Sequence, residues 1–423
     1  MKKILYLLSY FLPTITLFSQ SGWVQQSNVT NELIHSVSFI NPNIGIIADW
    51  KGNIFHTTNG GETWMGYPTG GNNQLQAACL VNENTGFVAG VQKHSFYGTN
   101  LVLRTTDGGT TWTDLSSSLP VIQDQDQSLL GISFVDVGHG WVVGYRGSTA
   151  GLPVIFRTTD GGETWKNVSS GRFGLHAVCF IDTNNGIAAG YDSYILHTTN
   201  GGLSWTGVPS PSSNYASISF ADANTGLIVG NNGIVNTTNG GNSWKIQSSG
   251  SNYSLLGVSF PDINTGFAVG WDGTILKTTD GGEHWTIQSS GTKKTLSSVC
   301  FTDQKIGTIV GDSGIIMRTT TGGLTGIEDD LKSGLPKDFK LEQNYPNPFN
   351  SSTTIRYLLP SAGNVQIKIY DILGNEIVTL INDYRQAGKY EAAFDGSKLS
   401  SGIYFYQMKT NQFSQVKKFI LLK

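Results

Sequence analysis

The sequence predicts an all-β chain, a seven-bladed β-propeller followed by a small C-terminal β-sandwich. Three observations carry that reading. The phrase Thr-Thr-(Asp/Asn)-Gly-Gly-x-x-Trp is written six times, and a worn seventh copy, TTTGGLTG, starts at Thr319. The third residue of the copies falls at 59, 107, 160, 200, 239, 280 and 321, and a period near forty residues is that of a blade of four strands. Charged residues make up only 13% of the 423, while Gly reaches 53, the composition of β-structure rich in tight turns.

One full unit lays out the strands: Ser254 to Phe260, Gly266 to Gly270, Thr274 to Thr278 and Trp285 to Gln288, divided by PDINTG, WDG and TTDGGEH. The recurring phrase is therefore the hairpin between the third and fourth strands. Its acid or amide (Asn59, Asp107, Asp160, Asn200, Asn239, Asp280) is expected to bond backbone N–H groups two residues on as an Asx-turn. The glycine pair supplies positive φ. The tryptophans Trp64, Trp112, Trp165, Trp205, Trp244 and Trp285 open the outer strand, each expected to bury its ring against the neighbouring blade. The seventh copy lacks its Trp and its fourth strand. The N-terminal SGWVQQS is written like SWKIQSS at Ser243 and HWTIQSS at His284. Trp23 is thus predicted to open the missing strand and close the ring, removing an exposed sheet edge.

Residues 1–20 read as a signal peptide, with Lys2 and Lys3 ahead of an apolar run, and no later segment is apolar for long enough to span a membrane. The propeller is expected over 21–326 and a polar linker over 327–340. From 341 to 423 a new alternation (Ile355, Tyr357, Leu359; Val365, Ile367, Ile369) gives the sandwich. A net charge of −3 gives no electrostatic case for nucleic acid. Cys79, Cys179 and Cys300 recur at one place in the repeat, as small side chains on apolar strands rather than a disulfide framework. No cofactor or metal is expected: Asp182, Asp222 and Asp262 begin D-x-N-x-G runs that lack the distal acid of a calcium loop.

The phrase resembles the Asp-box, or BNR, repeat, matched in full by Thr105, Asp107, Gly109, Thr111 and Trp112 and by Thr158, Asp160, Gly162, Thr164 and Trp165. The seven-fold arrangement is similar to photosystem II assembly and stability factor-like propellers. The tail resembles the type A C-terminal sorting domain of the type IX (Por) secretion system of Bacteroidetes-type bacteria. It does so through YPNPF at Tyr345, the Val365 to Gly374 segment, LSSGIYFY at Leu399 and the ending KKFILLK. That resemblance implies the secretion machinery as a partner and export through the periplasm to the cell surface or medium.

Asp-box propellers include sialidases and xyloglucanase-like hydrolases, and a glycoside hydrolase is the alternative function. The sialidase resemblance would require a convergent arginine triad, whereas Arg104, Arg157 and Arg318 stand at one repeat position. The hydrolase resemblance would require paired acids, and Asp192, Asp272 and Asp312 sit in turns that favour Asp. The expectation is a non-enzymatic propeller that recognises a protein or a polysaccharide. Loop length varies on one face, with insertions at 91–100 and 145–153 and a long link at 116–128, and variable loops on a rigid scaffold carry binding. Trp50, Tyr145, Tyr191 and Trp271 share one aligned position on that face, and Phe96 and Tyr97 lie in the first insertion. These six are the candidate ligand-binding residues.

Overall fold

A computed structural model describes residues 22–324 and 338–423, apart from 71, 94–97, 123–125, 148–150, 212–213, 232 and 386. The expected leader at 1–20, together with Phe96 and Tyr97, lies outside the described residues. The chain divides into two compact units at Thr325/Gly326.

Among the described residues, the first unit holds seven four-stranded antiparallel sheets. Blade one is Ile34–Phe39, Gly45–Asp49, Asn53–Thr57 and Met65–Pro68, in spatial order from the centre outwards. Blade six is Leu255–Ser259, Gly266–Gly270, Ile275–Thr278 and Thr286–Gln288. In blade seven, Leu296–Phe301, Gly307–Gly311 and Ile316–Gly323 are completed by Gly22–Gln25 from the start of the chain. The innermost strands pack in cyclic order, so that Leu296–Phe301 lies against Ile34–Phe39 and the ring is closed.

Each innermost strand carries a β-bulge near its start, as between Ile34 and Ser36 or between Leu175 and Ala177. The bulge explains the G-x-x-x-G of the second strand. A Cβ on Gly144 would stand 1.8 Å from the Ser128 carbonyl oxygen opposite, so the bulged backbone fits only against a bare one. The first glycine answers a different need, since a Cβ on Gly140 would meet the Phe134 ring at 2.2 Å. Blade one departs from the pattern with Asp49. Its buried carboxylate accepts N–H bonds from Lys51 (2.9 Å) and Asn53 (2.8 Å) and a hydroxyl bond from Thr30 (3.1 Å).

Adjacent innermost strands are joined by a seven-membered girdle. The Ser or Cys before the strand's terminal Phe or Leu accepts the N–H of the next blade's terminal residue. Ser38 takes Leu80, Ser133 takes Phe180, Ser219 takes Phe260 and Ser259 takes Phe301, each at 3.0 Å. Cys300 takes Phe39 at 3.3 Å, and the Cys79 and Cys179 thiols lie beside the N–H groups of Phe134 and Phe220, completing the circle. Burial pushes the Cys79 and Cys179 thiols up to about 11, so they stay protonated and unreactive at neutral pH. Replacing all three by serine is expected to leave the urea midpoint nearly unchanged, because serine already does this work in four blades. Replacing them by alanine orphans three buried N–H groups, at about 1–3 kcal/mol each, and should lower it clearly.

The second unit is a sandwich of two sheets. One orders Lys340–Leu341, Ser352–Leu359 and Gly388–Asp395; the other orders Glu376–Arg385, Gly363–Tyr370, Gly402–Lys409 and Ser414–Leu421. Tyr357, Tyr406 and Phe419 are fully buried between them. The expected linker ended at 340, but Phe339 stacks on Phe413 at 5.5 Å and Lys340 pairs with Leu358. The polar composition around 338 hid the start of this first strand. The YPNPF segment clasps the end of the chain: Asn347 Oδ1 accepts the Ile420 N–H (2.9 Å), and the Phe349 carbonyl accepts that of Leu422 (2.9 Å).

Candidate functional site

The Asp-box corners come first because they recur most. In blade one the Thr57 hydroxyl accepts the Gly61 N–H (2.9 Å) and donates to Asn59 Oδ1 (2.9 Å). Asn59 Oδ1 in turn accepts the Thr63 N–H at 3.0 Å. The side chain thus reaches four residues on, where an Asx-turn would have reached two. Gly60 and Gly61 are both left-handed (φ 71° and 87°), which curls the loop until the fourth N–H points back. The expected two-residue reach belongs instead to the other turn on the same face, where Asp182 Oδ1 accepts from Asn184 (2.7 Å) and Asn185 (2.8 Å). Asp222 and Asp262 repeat it. Among the described residues no group of three His, Cys, Asp or Glu is placed to hold a metal ion.

The phrase tryptophans pack edge-on against the terminal Phe of their own blade: Trp64 on Phe39 (6.0 Å), Trp165 on Phe134 (6.2 Å), Trp205 on Phe180 (5.7 Å) and Trp244 on Phe220 (6.1 Å). Trp112 is buried in a cluster shared by blades one and two, and Trp285, half-buried, packs against one shared by blades five and six. Trp23 makes the same edge contact with Phe301 of blade seven, at 5.8 Å.

Where the box acid is aspartate, the corner titrates. Hydrogen bonds from Thr111 hold the Asp107 carboxyl down at about 2, and those from Thr164 lower Asp160. A carboxylate depressed in the folded state stabilises fully above its unfolded value, near ~3.9, and loses that contribution as pH falls through the folded one. Wild type should therefore lose stability between about pH 4 and 2. The Asp107→Asn/Asp160→Asn variant should lose less over that window while melting normally at pH 7. Asn59 shows why the exchange is tolerated, since its Nδ2 donates to Thr63 Oγ1 (2.9 Å) where Asp107 accepts from Thr111 (2.6 Å). An identical acid slope in both proteins would refute the assignment.

The cations before the phrase tie blades together. Arg104 donates to the Gly161 carbonyl (3.0 Å) and pairs with Glu163 (2.8 Å) in the next blade. Lys277 donates to the Gly322 carbonyl at 3.0 Å, and Arg318 to that of Pro42. Arg157 occupies the same position in blade three. Arg104 and Arg318 thus serve separate blade junctions, while Arg157 Nε is buried without a hydrogen-bond partner among the described residues.

The opposite face carries the candidate rings. Their alignment is visible in the backbone, where the N–H groups of Trp50, Tyr191 and Trp271 donate to the carbonyls of Leu33, Gly174 and Ser254. Tyr145 sits opposite Ser128 in the equivalent register. Their surroundings differ. Trp50 lies on His35 (5.0 Å) and Tyr191 on His176 (4.3 Å), both histidines being bulge residues whose burial lowers them to about 4. Tyr145 and Tyr191 come together around Gly174, where a Cβ would lie 2.7 Å from Tyr145 Cβ and 3.4 Å from the Tyr191 ring. Burial raises both phenols, helped at Tyr145 by Asp126 and at Tyr191 by Tyr145. Trp271 stands out from blade six with 55% of its surface exposed. The described ends of the insertions continue the ladder: Val91 pairs with Asn100, and Arg146 with Leu152.

Sequence reasoning missed Tyr253. It lies in the link into blade six, outside the aligned position, with 48% of its surface exposed. It borders an open cleft of about 740 Å³ lined also by Asn252, Asp272, Gln288, Ser290 and Lys293. The neighbouring Asp272 carboxylate holds the Tyr253 phenol above its ordinary value. An exposed Tyr in a Ser- and Gly-rich link was the available signal.

Comparison with known proteins agrees with this architecture. Residues 343–422 match the secretion system C-terminal sorting domain, a tail that marks a chain for export through the type IX system to the cell surface or beyond. Residues 116–214, 208–286 and 249–344 match the photosynthesis system II assembly factor YCF48, continuously over more than half of the chain. No curated protein matches. Among solved structures, YCF48 bound to D1 peptide is similar over 71% of this chain and 97% of that one, at 20% identity and a TM-score of 0.56. YCF48 from Cyanidioschyzon merolae is similar over 70% and 98%, also at 20% and 0.56. The WD40 propeller domain of Doa1 is similar over 70% and 96%, at 11% and 0.55. With its repeated Asp-box corners and closed ring of blades, the chain belongs to the YCF48 photosynthesis system II assembly factor family, joined here to a secretion sorting domain.

Proposed function

We propose that this protein is an exported, non-catalytic recognition propeller that binds a protein or polysaccharide outside the cell through its loop-rich face. The observation that carries the reading is Trp271, a ring with 55% of its surface exposed on the face where connection length varies. Large exposed aromatics on a rigid scaffold are binding anchors. The Asp-box face supports the reading from the other side, because its box acids are engaged in turns and Arg104, Lys277 and Arg318 in blade junctions. A YCF48 propeller in complex with a peptide is a precedent for this fold acting by binding. The sorting tail directs the chain through the periplasm and across the outer membrane by engaging the type IX machinery, and the propeller is its cargo.

The test is an array of glycans and peptides probed with the leader-free chain, beside a Trp50→Ala/Trp271→Ala variant, with mass spectrometry of the bound ligands. Binding that the variant loses, with ligands recovered intact, is expected. Cleaved products would replace this reading with a hydrolase. Binding that is unchanged in the variant would move the site off this face.

A further inference from the structure

We propose that the blade-six cleft is a subsite for a neutral polysaccharide, with Tyr253 and Trp271 as stacking platforms and Asp272 as the acceptor of sugar hydroxyls. The inference rests on the recognition reading above and names its ligand class.

The cleft has a built frame. Its walls are the two links flanking blade six, which share one construction. In one, Ser249 Oγ accepts the Ser251 N–H (3.2 Å) and donates to its carbonyl (3.2 Å). In the other, Ser290 Oγ does the same with Thr292 (3.3 and 3.1 Å). The floor is the turn at 272–274, pressed so closely on the second link that a Cβ on Gly273 would stand 2.0 Å from the Thr292 carbonyl. Asp272 is left-handed there (φ 53°), a conformation Asp tolerates. The backbone bond from Trp271 to Ser254 sets Trp271 beside the residue that follows Tyr253.

The chemistry of this frame decides among ligands. A pyranose offers an apolar face of C–H groups and a rim of hydroxyls, without charge. Rings meet the first, and a carboxylate, an amide and an ammonium group meet the second. Asp272 and Lys293 are the charged groups lining the cleft, one of each sign, so a polyanion would face Asp272 and a polycation Lys293. A peptide anchor needs a hole that surrounds a side chain. Here the apolar groups of the lining stand out instead, Ile287 at 68% exposed and Tyr253 at 48%, and Trp271, adjoining the cleft next to Asp272 rather than lining it, is 55% exposed.

The experiment is native gel electrophoresis of the full leader-free chain through gels containing soluble xyloglucan, xylan, galactomannan or β-1,3-glucan, with carboxymethyl cellulose as the anionic control. At least one neutral polymer should retard wild type, and carboxymethyl cellulose should not. Tyr253→Ala and Asp272→Ala should each weaken retardation by about tenfold, the size of one lost ring or charge-assisted contact. Tyr253→Phe, which keeps the ring, should retain most of it. Unchanged melting curves establish that these surface variants are folded. Equal retardation of wild type and Tyr253→Ala overturns the cleft but leaves the recognition reading standing. Peptide binding on the array without retardation by any neutral polymer overturns the ligand class alone. Silence in both assays overturns the inference and the reading beneath it.

Discussion

Trp23→Ala is expected to lower the unfolding free energy by about 3–5 kcal/mol, the usual cost of removing a buried aromatic ring. Trp23 is 4% exposed. Its ring meets Phe301 edge-on at 5.8 Å, and its indole N–H donates to Gln288 Oε1 at 3.1 Å, in the neighbouring blade. The substitution removes a large ring from the cluster it shares with Phe267, Val299 and Met317, and strips a partner from Gln288. Among the described residues it acts at the one junction where the outer strand of a blade comes from the far end of the chain. Urea denaturation followed by tryptophan fluorescence measures the loss. Val24→Ala is the control, because Val24 lies in the same strand with 67% of its surface exposed. A Trp23→Ala midpoint within error of wild type would mean that the closing strand contributes nothing.

Ending the chain after residue 337 is expected to abolish appearance of the protein outside the cell, with the truncated chain held inside the envelope. The cut is placed there because Phe339 and the strand Lys340–Leu341 belong to the tail sandwich, three residues before the sorting match begins at 343. The propeller should survive the cut, since the two compact units divide at Thr325/Gly326. Fractionation of cells carrying either form, probed with antibody to the propeller, reads the result. A finer variant, Asn347→Ala, removes the acceptor of the Ile420 N–H and should reduce export by loosening the final strand. Full export of the truncated chain would refute the sorting assignment.

Much of this architecture is legible in the sequence for one physical reason. The Asp-box corner needs two left-handed residues in a row, so the glycine pair and its acid recur wherever a blade turns. Counting corners gives the blades, and the likeness of SGWVQQS to two outer strands gives the closure. What was illegible depends on partners in other blades. The girdle is written as Ser or Cys before a terminal Phe or Leu, but a serine and a cysteine look like different features until both are seen accepting the same N–H. The box acid was expected to reach two residues, because the curl of two left-handed glycines is a property of the backbone rather than of any side chain. Of the candidate site, the aligned rings are visible as a column of aromatics, yet only the structure separates Trp50 and Tyr191, seated on histidines, from the open Trp271. Tyr253 has one aromatic counterpart in its sister links, Phe173 of blade four, too sparse a recurrence for periodicity to single it out.

The pairing of Gly22–Gln25 with Ile316–Gly323 also sets the order in which the ring can form. Each of the other blades draws its four strands from a contiguous run of chain, so it can assemble from contacts local in sequence, the kind that form fast. Blade seven must bring together residues some 300 apart. Relative to a forty-residue closure this is about three doublings of loop length, or about 2 kcal/mol of additional entropy at ~0.6 kcal/mol per doubling. The meeting of the two ends is therefore expected to come last in folding, and the seam is where the ring is joined by contacts remote in sequence. Re-joining the ends beside Gly22 and Gly323 and opening a link between two other blades would move that slow step around the circle without altering a single blade.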